Sequence, residues 1–392
     1  MSKLDELIAE LCPDGVEYVK LGDLCEITSA GVDKKIVANE QPVKLLNYMD
    51  VYKNRYITAD ILSLEVTAST TKVLQCNIEE GDIFITPSSE TIDDIGHSAV
   101  AVEAIEGAVY SYHVMRLRLR KPNMITSFYI SYAFSSYLIQ KQIIRLATGL
   151  TRYGLTKSNW EKIRIPLPPL PVQQEIVRIL DNFTELTAEL TAELTARRKQ
   201  YEYYRELLLT FEDEVEWKTL GEVCSMKAGK AIPSSEISDI KNEDYPYPCY
   251  GGNGLRGYVK THNQIVEAPL IGRQGALCGN VCFATGKYYA TEHAIVVEHG
   301  KYYNARFLYY LLTSMDLNQY KTAGAQPGLS VARLAKIDIP IPSLEEQERI
   351  VAILDHFDAL CNDLTSGIPA EIEARKKQYE YYRDKLLTFK EV

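Results

Sequence analysis

Apolar residues recur at steps of three and four through Ile176, Leu180, Phe183, Leu186, Leu190 and Leu194, then through Tyr201, Tyr204, Leu208 and Phe211. That spacing draws one stripe along an α-helix. From Val172 to Phe211 the pattern runs for 40 residues, about 60 Å at ~1.5 Å per residue. The stripe returns at Ile350, Leu354, Phe357, Leu360 and Leu364, then at Ile372, Tyr379, Tyr382, Leu386 and Phe389. A helix this long with one apolar seam needs something to cover it, and the simplest cover is its own second copy, packed antiparallel. The residues expected to pair are Leu186, Leu190, Leu194, Tyr201, Tyr204 and Leu208 with Leu364, Tyr379, Tyr382 and Leu386, and Tyr203 is read with its neighbours as packing. Prolines at 166, 168, 169 and 171 end a strand before the first helix, as those at 340 and 342 do before the second. Gly367 and Pro369 interrupt the second stripe, so a kink or a fresh helix start is expected at Pro369.

The chain contains itself twice. Lys162–Asp181 (KIRIPLPPLPVQQEIVRILD) returns 174 residues later as Lys336–Asp355, and Ala196–Phe211 (ARRKQYEYYRELLLTF) returns 178 residues later as Ala374–Phe389. The second copy therefore carries four extra residues between the two matches. A weaker echo, VEYVKLGDLC at 16–25 and VEWKTLGEVC at 215–224, opens each globular part. The order is globule (1–165), helix (166–214), globule (215–340), helix (341–392), with a pseudo-twofold relation that would put the globules at opposite ends of the helical pair. Residues 184–196 read TEL-TAEL-TAEL-TA. A four-residue unit turns a helix by ~400° and lengthens it by ~6 Å. Gaining or losing one nearly keeps the apolar face, although TAEL is equally a good helix-forming filler.

The globules read as mixed, which makes the fold class α+β: two mixed α/β domains separated by two long antiparallel, coiled-coil-like helices. Short β-rich runs (81–86, 268–273, 293–298) alternate with helical stretches (127–147, 304–322). Tyr129, Tyr132, Phe134 and Tyr137 fall at helical spacing and read as core. The interiors of the two globules are unlike although their ends match, which suggests two different specificities. In the second, Gly252-x-Gly254-x-x-Gly257 satisfies a dinucleotide-binding pattern, but no strand of suitable length is expected before it and Tyr258-Val-Lys follows where a helix should open. A glycine-rich turn that lets backbone and Arg256 approach a DNA strand fits better. With Arg256, the candidates there are Tyr250, Asn253, Arg273, Gln274, His293 and Gln326, because Arg, Asn and Gln carry forks that match base edges. In the first globule Asn47, Tyr48, Lys53, Asn54 and Arg55 form one candidate segment, and Ser88, Ser89, Thr91 and His97 a second. Tyr112, His113 and Arg116 follow, then Thr151, Arg152 and Tyr153 at the junction with the helix. Such polar and aromatic side chains suit phosphate and base contacts, and each has the plainer reading of a solvated loop residue.

Composition changes this picture little. With 46% hydrophobic and 24% charged residues the chain is ordinary globular protein. Its first residues lack the pattern of a secretory signal and no run approaches ~18 apolar residues, so a cytoplasmic location is expected. Eight scattered cysteines read as free thiols, and Cys278 and Cys282 lack the partners of a zinc site. The net charge of −10 is carried mostly by the helical segments, −5 over 166–214 and −4 over 341–392, against −3 over 1–165 and +2 over 215–340. The globules are thus close to neutral, and weak non-specific DNA binding by this chain alone is expected. No phosphate loop, no methyltransferase cofactor loop with its catalytic tetrapeptide and no convincing nuclease cluster is present. His97, His113 and His293 assemble no nucleophile–base set from local sequence. No catalytic, metal or cofactor-binding residue is expected.

The two IP-x-P-x-x-x-Q-x-x-I/V-V-x-I-L-D segments, the two KQYEYYR segments and the TAEL run closely resemble the specificity subunits of type I restriction-modification systems, over essentially the whole chain. GGNGLRGY, LIGRQGALCGN and ATEHAIVV look like one class of target-recognition domain of that family, and NYMDVYKN, TPSSETIDDIGHSAV and YSYHVMR like another. The resemblance implies a non-catalytic DNA-reading subunit whose two domains each read half of a bipartite site, with helix length setting the spacer. It implies two modification subunits that bring S-adenosylmethionine and two restriction subunits that use ATP and Mg. A specificity subunit of a related type II or phage-exclusion system is the alternative, and a stand-alone DNA methyltransferase a further one. The four-residue mismatch and the Gly367/Pro369 interruption depart from strict symmetry.

Overall fold

The computed structural model describes residues 2–212, 215–275, 277–322 and 328–392. The long stripe forms one helix, Leu170–Leu209. The second stripe forms two, Leu344–Asn362 and Ile368–Leu386, separated by a turn that holds Gly367. A Cβ on Gly367 would lie 2.5 Å from the Ala359 carbonyl oxygen, so the turn closes tightly over the helix before it. The chain divides into two compact units, 1–189 with 372–392 and 190–371. These limits do not coincide with 165, 214 and 340, because each globular core continues into the turns of helix that lie against it.

In the first unit a five-stranded sheet runs in the order Cys25–Thr28, Met115–Leu119, Ile83–Ile85, Ser98–Ala101, Tyr56–Ile57, antiparallel except for the last pair. A three-stranded sheet, Glu65–Ala68, Gln41–Leu46 and Ala108–Tyr110, shares a second core with one of its faces. The stretch 127–147 splits at Ser135-Ser136 into helices Ser127–Phe134 and Tyr137–Leu146, each capped by a hydroxyl at its start. Tyr129, Tyr132 and Phe134 are fully buried, as expected. Tyr137 is 66% exposed, because the split places it at the first turn of a new helix. In the second unit a four-stranded antiparallel sheet (Ser225–Ala228, Ala294–Glu298, Ala268–Gly272, Val281–Ala284) stands beside a three-stranded one built on the hairpin Tyr247–Gly251/Gly254–Val259. A five-residue strand therefore does precede the glycine motif, but a strand and not a helix follows it, so the motif is a hairpin turn.

The duplicated segments meet within each unit. Tyr18–Lys20, from the opening echo, pairs antiparallel with Arg164–Pro166 of the Ile-Pro segment, and Glu216–Thr219 pairs likewise with Asp338–Ile341. The two copies build the same clasp around unlike interiors. Both also use one buried glutamine in the same way. Gln173 accepts from the Thr126 amide and donates to the Met124 and Pro168 carbonyls. Gln347 accepts from the Asn304 amide and donates to the Tyr302 and Pro342 carbonyls. Thr126 and Asn304 are the N-caps of the helices Ser127–Phe134 and Ala305–Ser314, so each glutamine ties a domain helix to a spacer helix. Eight residues on, Asp181 accepts from Tyr56 and Tyr132, and Asp355 accepts from Arg306 and Tyr310. Burial first, and then these carboxylates, push the pKa values of Tyr56, Tyr132 and Tyr310 upward, whereas burial works downward on Arg306 and is outweighed by its contacts with Asp355 and Tyr310, which raise it.

Helix pairing is aromatic. In the first unit Phe183 stacks on Tyr382, and Tyr379 and Leu386 pack against the core that holds Val172, Ile176 and Leu180. In the second, Tyr201 and Tyr204 stack on Phe357 while Arg198 donates to the Cys361 carbonyl, so rising numbers on one helix meet falling numbers on the other. Leu208 packs there too, and Leu190 and Leu194 are half-buried. Leu186 is 45% exposed, and Leu364 is 79% exposed because it falls in the turn between the two helices rather than on either. Tyr203 is 62% exposed, one position off the seam. All eight cysteines are free. Among the described residues no helix is long and apolar enough to cross a membrane.

Candidate functional site

In the first unit, four segments far apart in sequence converge on one hollow of about 580 Å³, lined by Tyr48, Met49, Tyr52, Ser89, Glu90, Thr91, Asp94, His113 and Arg152. Its construction follows from local chemistry. Asn47 opens the helix Tyr48–Lys53 with a capping box, its side chain accepting from the Met49 amide and Asp50 accepting from its own amide. The helix sets Tyr48 and Tyr52 one turn apart, with ring centroids 6.0 Å apart, and Tyr52 rests on His97 at 4.2 Å. Asp94 holds this wall together. It lies 2.8 Å from His97 Nε2 and accepts from Ser89 Oγ at 3.1 Å and Tyr52 Oη at 3.2 Å. Partial burial pushes its pKa up, but the hydrogen bonds from His97, Ser89 and Tyr52 outweigh it and hold the carboxyl below its usual range.

The opposite rim comes from the junction loop. Tyr153–Gly154 pairs with Ser88–Ser89, which carries Arg152 to Ser88 Oγ at 3.0 Å. Gly149 makes the turn possible: its φ is +138°, and a Cβ there would lie 2.0 Å from the Arg152 carbonyl oxygen. The Tyr112 and His113 rings touch at a tilt, with centroids 4.0 Å apart and Tyr112 half exposed. Thr91, Thr151 and Lys53 are exposed nearby in the chain, and Tyr153 packs on the core. A second hollow of about 440 Å³ includes Lys53, Asn54, Arg55 and His97.

Four candidates serve the fold instead of an open surface. Arg116 is only 7% exposed, donates to the Asn77 carbonyl and side chain and lies over Tyr110. It lies on the face of the strand Met115–Leu119 that Tyr110 of the three-stranded sheet packs against. Arg55 lies 4.1 Å over Tyr132 and donates to Ser131 and Tyr379. Ser89 is buried, and its hydroxyl is spent on Asp94. Asn54 spends its amide on the Asp50 carbonyl, as a helix C-cap.

In the second unit the hairpin turns at Gly252-Asn253, beside the strand that leads into Arg273 and the turn that leads into Ala294. The backbones approach closely, and a Cβ on Gly272 would lie 1.8 Å from the Gly252 carbonyl oxygen. Arg273 donates its amide to the His293 carbonyl, and His293 Nε2 lies 3.3 Å from Glu292. Asn253 and Gln274 are exposed at this end of the hairpin. Arg256 is exposed and tied to Ser234 at 2.7 Å, and Tyr250 is a half-buried anchor set edge-on to the buried Tyr288. Gln326 lies outside the described residues.

Sequence reasoning passed over Tyr52, Glu90 and Asp94, for which no local pattern exists, and over Gln173, Gln347, Asp181 and Asp355, for which one did. The last four are polar residues retained at matching positions in both copies of the repeated segment. Among the described residues no group of three or more His, Cys, Asp or Glu could hold a metal ion.

The profile of the type I restriction modification DNA specificity domain matches this chain twice, over residues 13–197 and 212–374. The type I restriction enzyme EcoprrI specificity subunit of Escherichia coli is 42% identical over 318 residues, covering 76% of this chain and 78% of that protein. The EcoR124I/EcoR124II specificity subunit of the same species is 37% identical over 262 residues, 59% of this chain and 65% of that protein. Among solved structures, the S subunit of a type I restriction-modification system from M. genitalium aligns over 96% of this chain and 97% of its own, with a TM-score of 0.59 at 17% identity, and so shares the fold.

Proposed function

The chain belongs to the type I restriction-modification DNA specificity family, and from that premise we propose that it recognises a bipartite DNA site, each globular segment reading one half. The observation that carries this reading is the duplicated clasp around unlike interiors: Tyr18–Lys20 with Arg164–Pro166, and Glu216–Thr219 with Asp338–Ile341. A frame kept twice with its contents changed is what two independent readers require. The helical segments set the length of unread DNA between the half-sites and dock the partner subunits.

The chain is non-catalytic in this reading. S-adenosylmethionine, ATP and Mg belong to partner subunits, two for modification and two for restriction. Support for a partner present in two copies comes from the helix surface. Lys199, Glu202 and Tyr203 recur as Lys377, Glu380 and Tyr381, all six exposed, with the tyrosines at 62% and 63%. Residues on the seam recur because they pack against the facing helix; these six are exposed and lie off it. The purified chain alone is expected to leave DNA unmethylated, and to support methylation of one bipartite motif once modification subunits are added. Methylation by the chain alone would overturn the non-catalytic assignment.

Inserting one further TAEL unit after Leu194 adds ~6 Å of helix. Against a rise of ~3.4 Å per base pair, the unread spacer is expected to lengthen by about one or two pairs with both half-sites kept. Sequencing of methylated sites reads this directly, and an unchanged spacer would remove the ruler role.

A further inference from the structure

The hollow in the first unit holds two opposite charges that do not neutralise one another. Glu90 is exposed and has neither a hydrogen bond nor an ion pair among the described residues. Arg152, on the same hollow, is held through Nε by Ser88 Oγ at 3.0 Å. That bond leaves the terminal N–H groups of the guanidinium without a carboxylate. Holding the pair apart forgoes a favourable ion pair, which makes sense where both groups have another partner to meet.

Part of the polar surface around the hollow is already engaged. Asp94 carries three donors, and the side chains of Asn47 and Asn54 are used as helix caps. The charged groups it leaves open are one acceptor-only carboxylate, Glu90, and one donor-only fork, Arg152, beside the aromatic faces of Tyr48, Tyr52 and His113. Two carboxylates make it a poor seat for a phosphate. Adenine is read best by a side-chain amide that donates and accepts together, and no free amide lines the hollow. A carboxylate matches the 4-amino group of cytosine, and an arginine fork matches O6 and N7 of guanine.

We propose that this hollow reads the major-groove edge of one cytosine–guanine pair, Glu90 accepting from cytosine N4 and Arg152 donating to guanine O6 and N7. The assignment rests on the DNA-reading function inferred above. Glu90 and Arg152 are surface residues outside both cores, so Glu90→Ala, Glu90→Gln and Arg152→Ala should fold as the parent does.

The test is sequencing of methylated sites, with each variant assembled with its modification subunits. The parent motif should contain a C·G pair, in one half-site, at which Glu90→Ala and Arg152→Ala each lose about 10- to 100-fold of the preference. All other positions, and the other half-site, should stay as in the parent. Glu90→Gln, which can donate as well as accept, should shift that position towards adenine. Retained preference in both alanine variants, relaxation at a position that is not C·G, or a parent motif without such a pair would overturn the proposal. Exchange of the whole first globule separates the two levels: if it still replaces one half-site, only the assignment to this hollow has failed, and if it changes nothing, the reading beneath it has failed too.

Discussion

Replacing residues 225–334 with the corresponding interior of another specificity chain is expected to change one half of the methylated motif and leave the other as it was. These junctions fall inside the clasp formed by Glu216–Thr219 and Asp338–Ile341, so the frame that attaches the domain to its helix stays intact. The exchanged interior carries the sheets and the hairpin of the second unit and most of its two cores, and none of the first unit's core residues. Nothing in the exchange alters how the first unit folds. Each wrong base pair costs about 1–3 kcal/mol, so two wrong pairs in the old half-site already cost on the order of 30-fold or more. Comparison of the motifs methylated by parent and chimera decides the matter. Loss of both half-sites from a folded chimera would show that the two domains do not read separately.

Gln347→Ala is expected to lower the melting temperature of the second unit by about 6–12 °C, and Gln173→Ala to do the same to the first. Each glutamine is fully buried and makes three hydrogen bonds to main-chain groups in buried or partly buried surroundings. Removing it strands one amide and two carbonyls. At about 1–3 kcal/mol for each buried group left without a partner, the loss is about 3 kcal/mol or more. That is a large share of the ~5–15 kcal/mol that holds a domain together. For units of this size each kcal/mol lowers the midpoint by roughly 2–4 °C. Calorimetry of the two variants and of their combination reads the effect. A shift under about 2 °C in either single variant would mean that water or rearrangement satisfies those groups, and that the glutamine is not what docks the helix.

The two glutamines show how far sequence reading reached. The apolar stripes, the prolines before each helix and the break at Gly367 were legible because helix periodicity is a local property, and Leu170–Leu209 matches the expected helix within two residues at each end. The mixed character of the globules was legible in the same way. The meaning of Gln173 and Gln347 was recorded in their repetition, but two of the three bonds of each run to residues more than 40 positions away. Leu186 and Leu364 mark the opposite limit. Both continue the stripe, yet both stand exposed, because a stripe states which residues could be covered and only a neighbour covers them.

The amino-acid pattern by itself determined the duplication, the long helices, the unlike domain interiors and, through the duplicated motifs, the family. Tertiary structure alone decided which loop residues are free to act. Arg116 and Arg152 are equally suitable in sequence, but one is buried against Tyr110 and bound to Asn77, while the other stands exposed at the rim of a hollow that Glu90 also lines. The reason is physical. Periodicity depends on backbone geometry over a few residues, whereas the availability of a side chain depends on contacts between segments that meet only when the chain has folded.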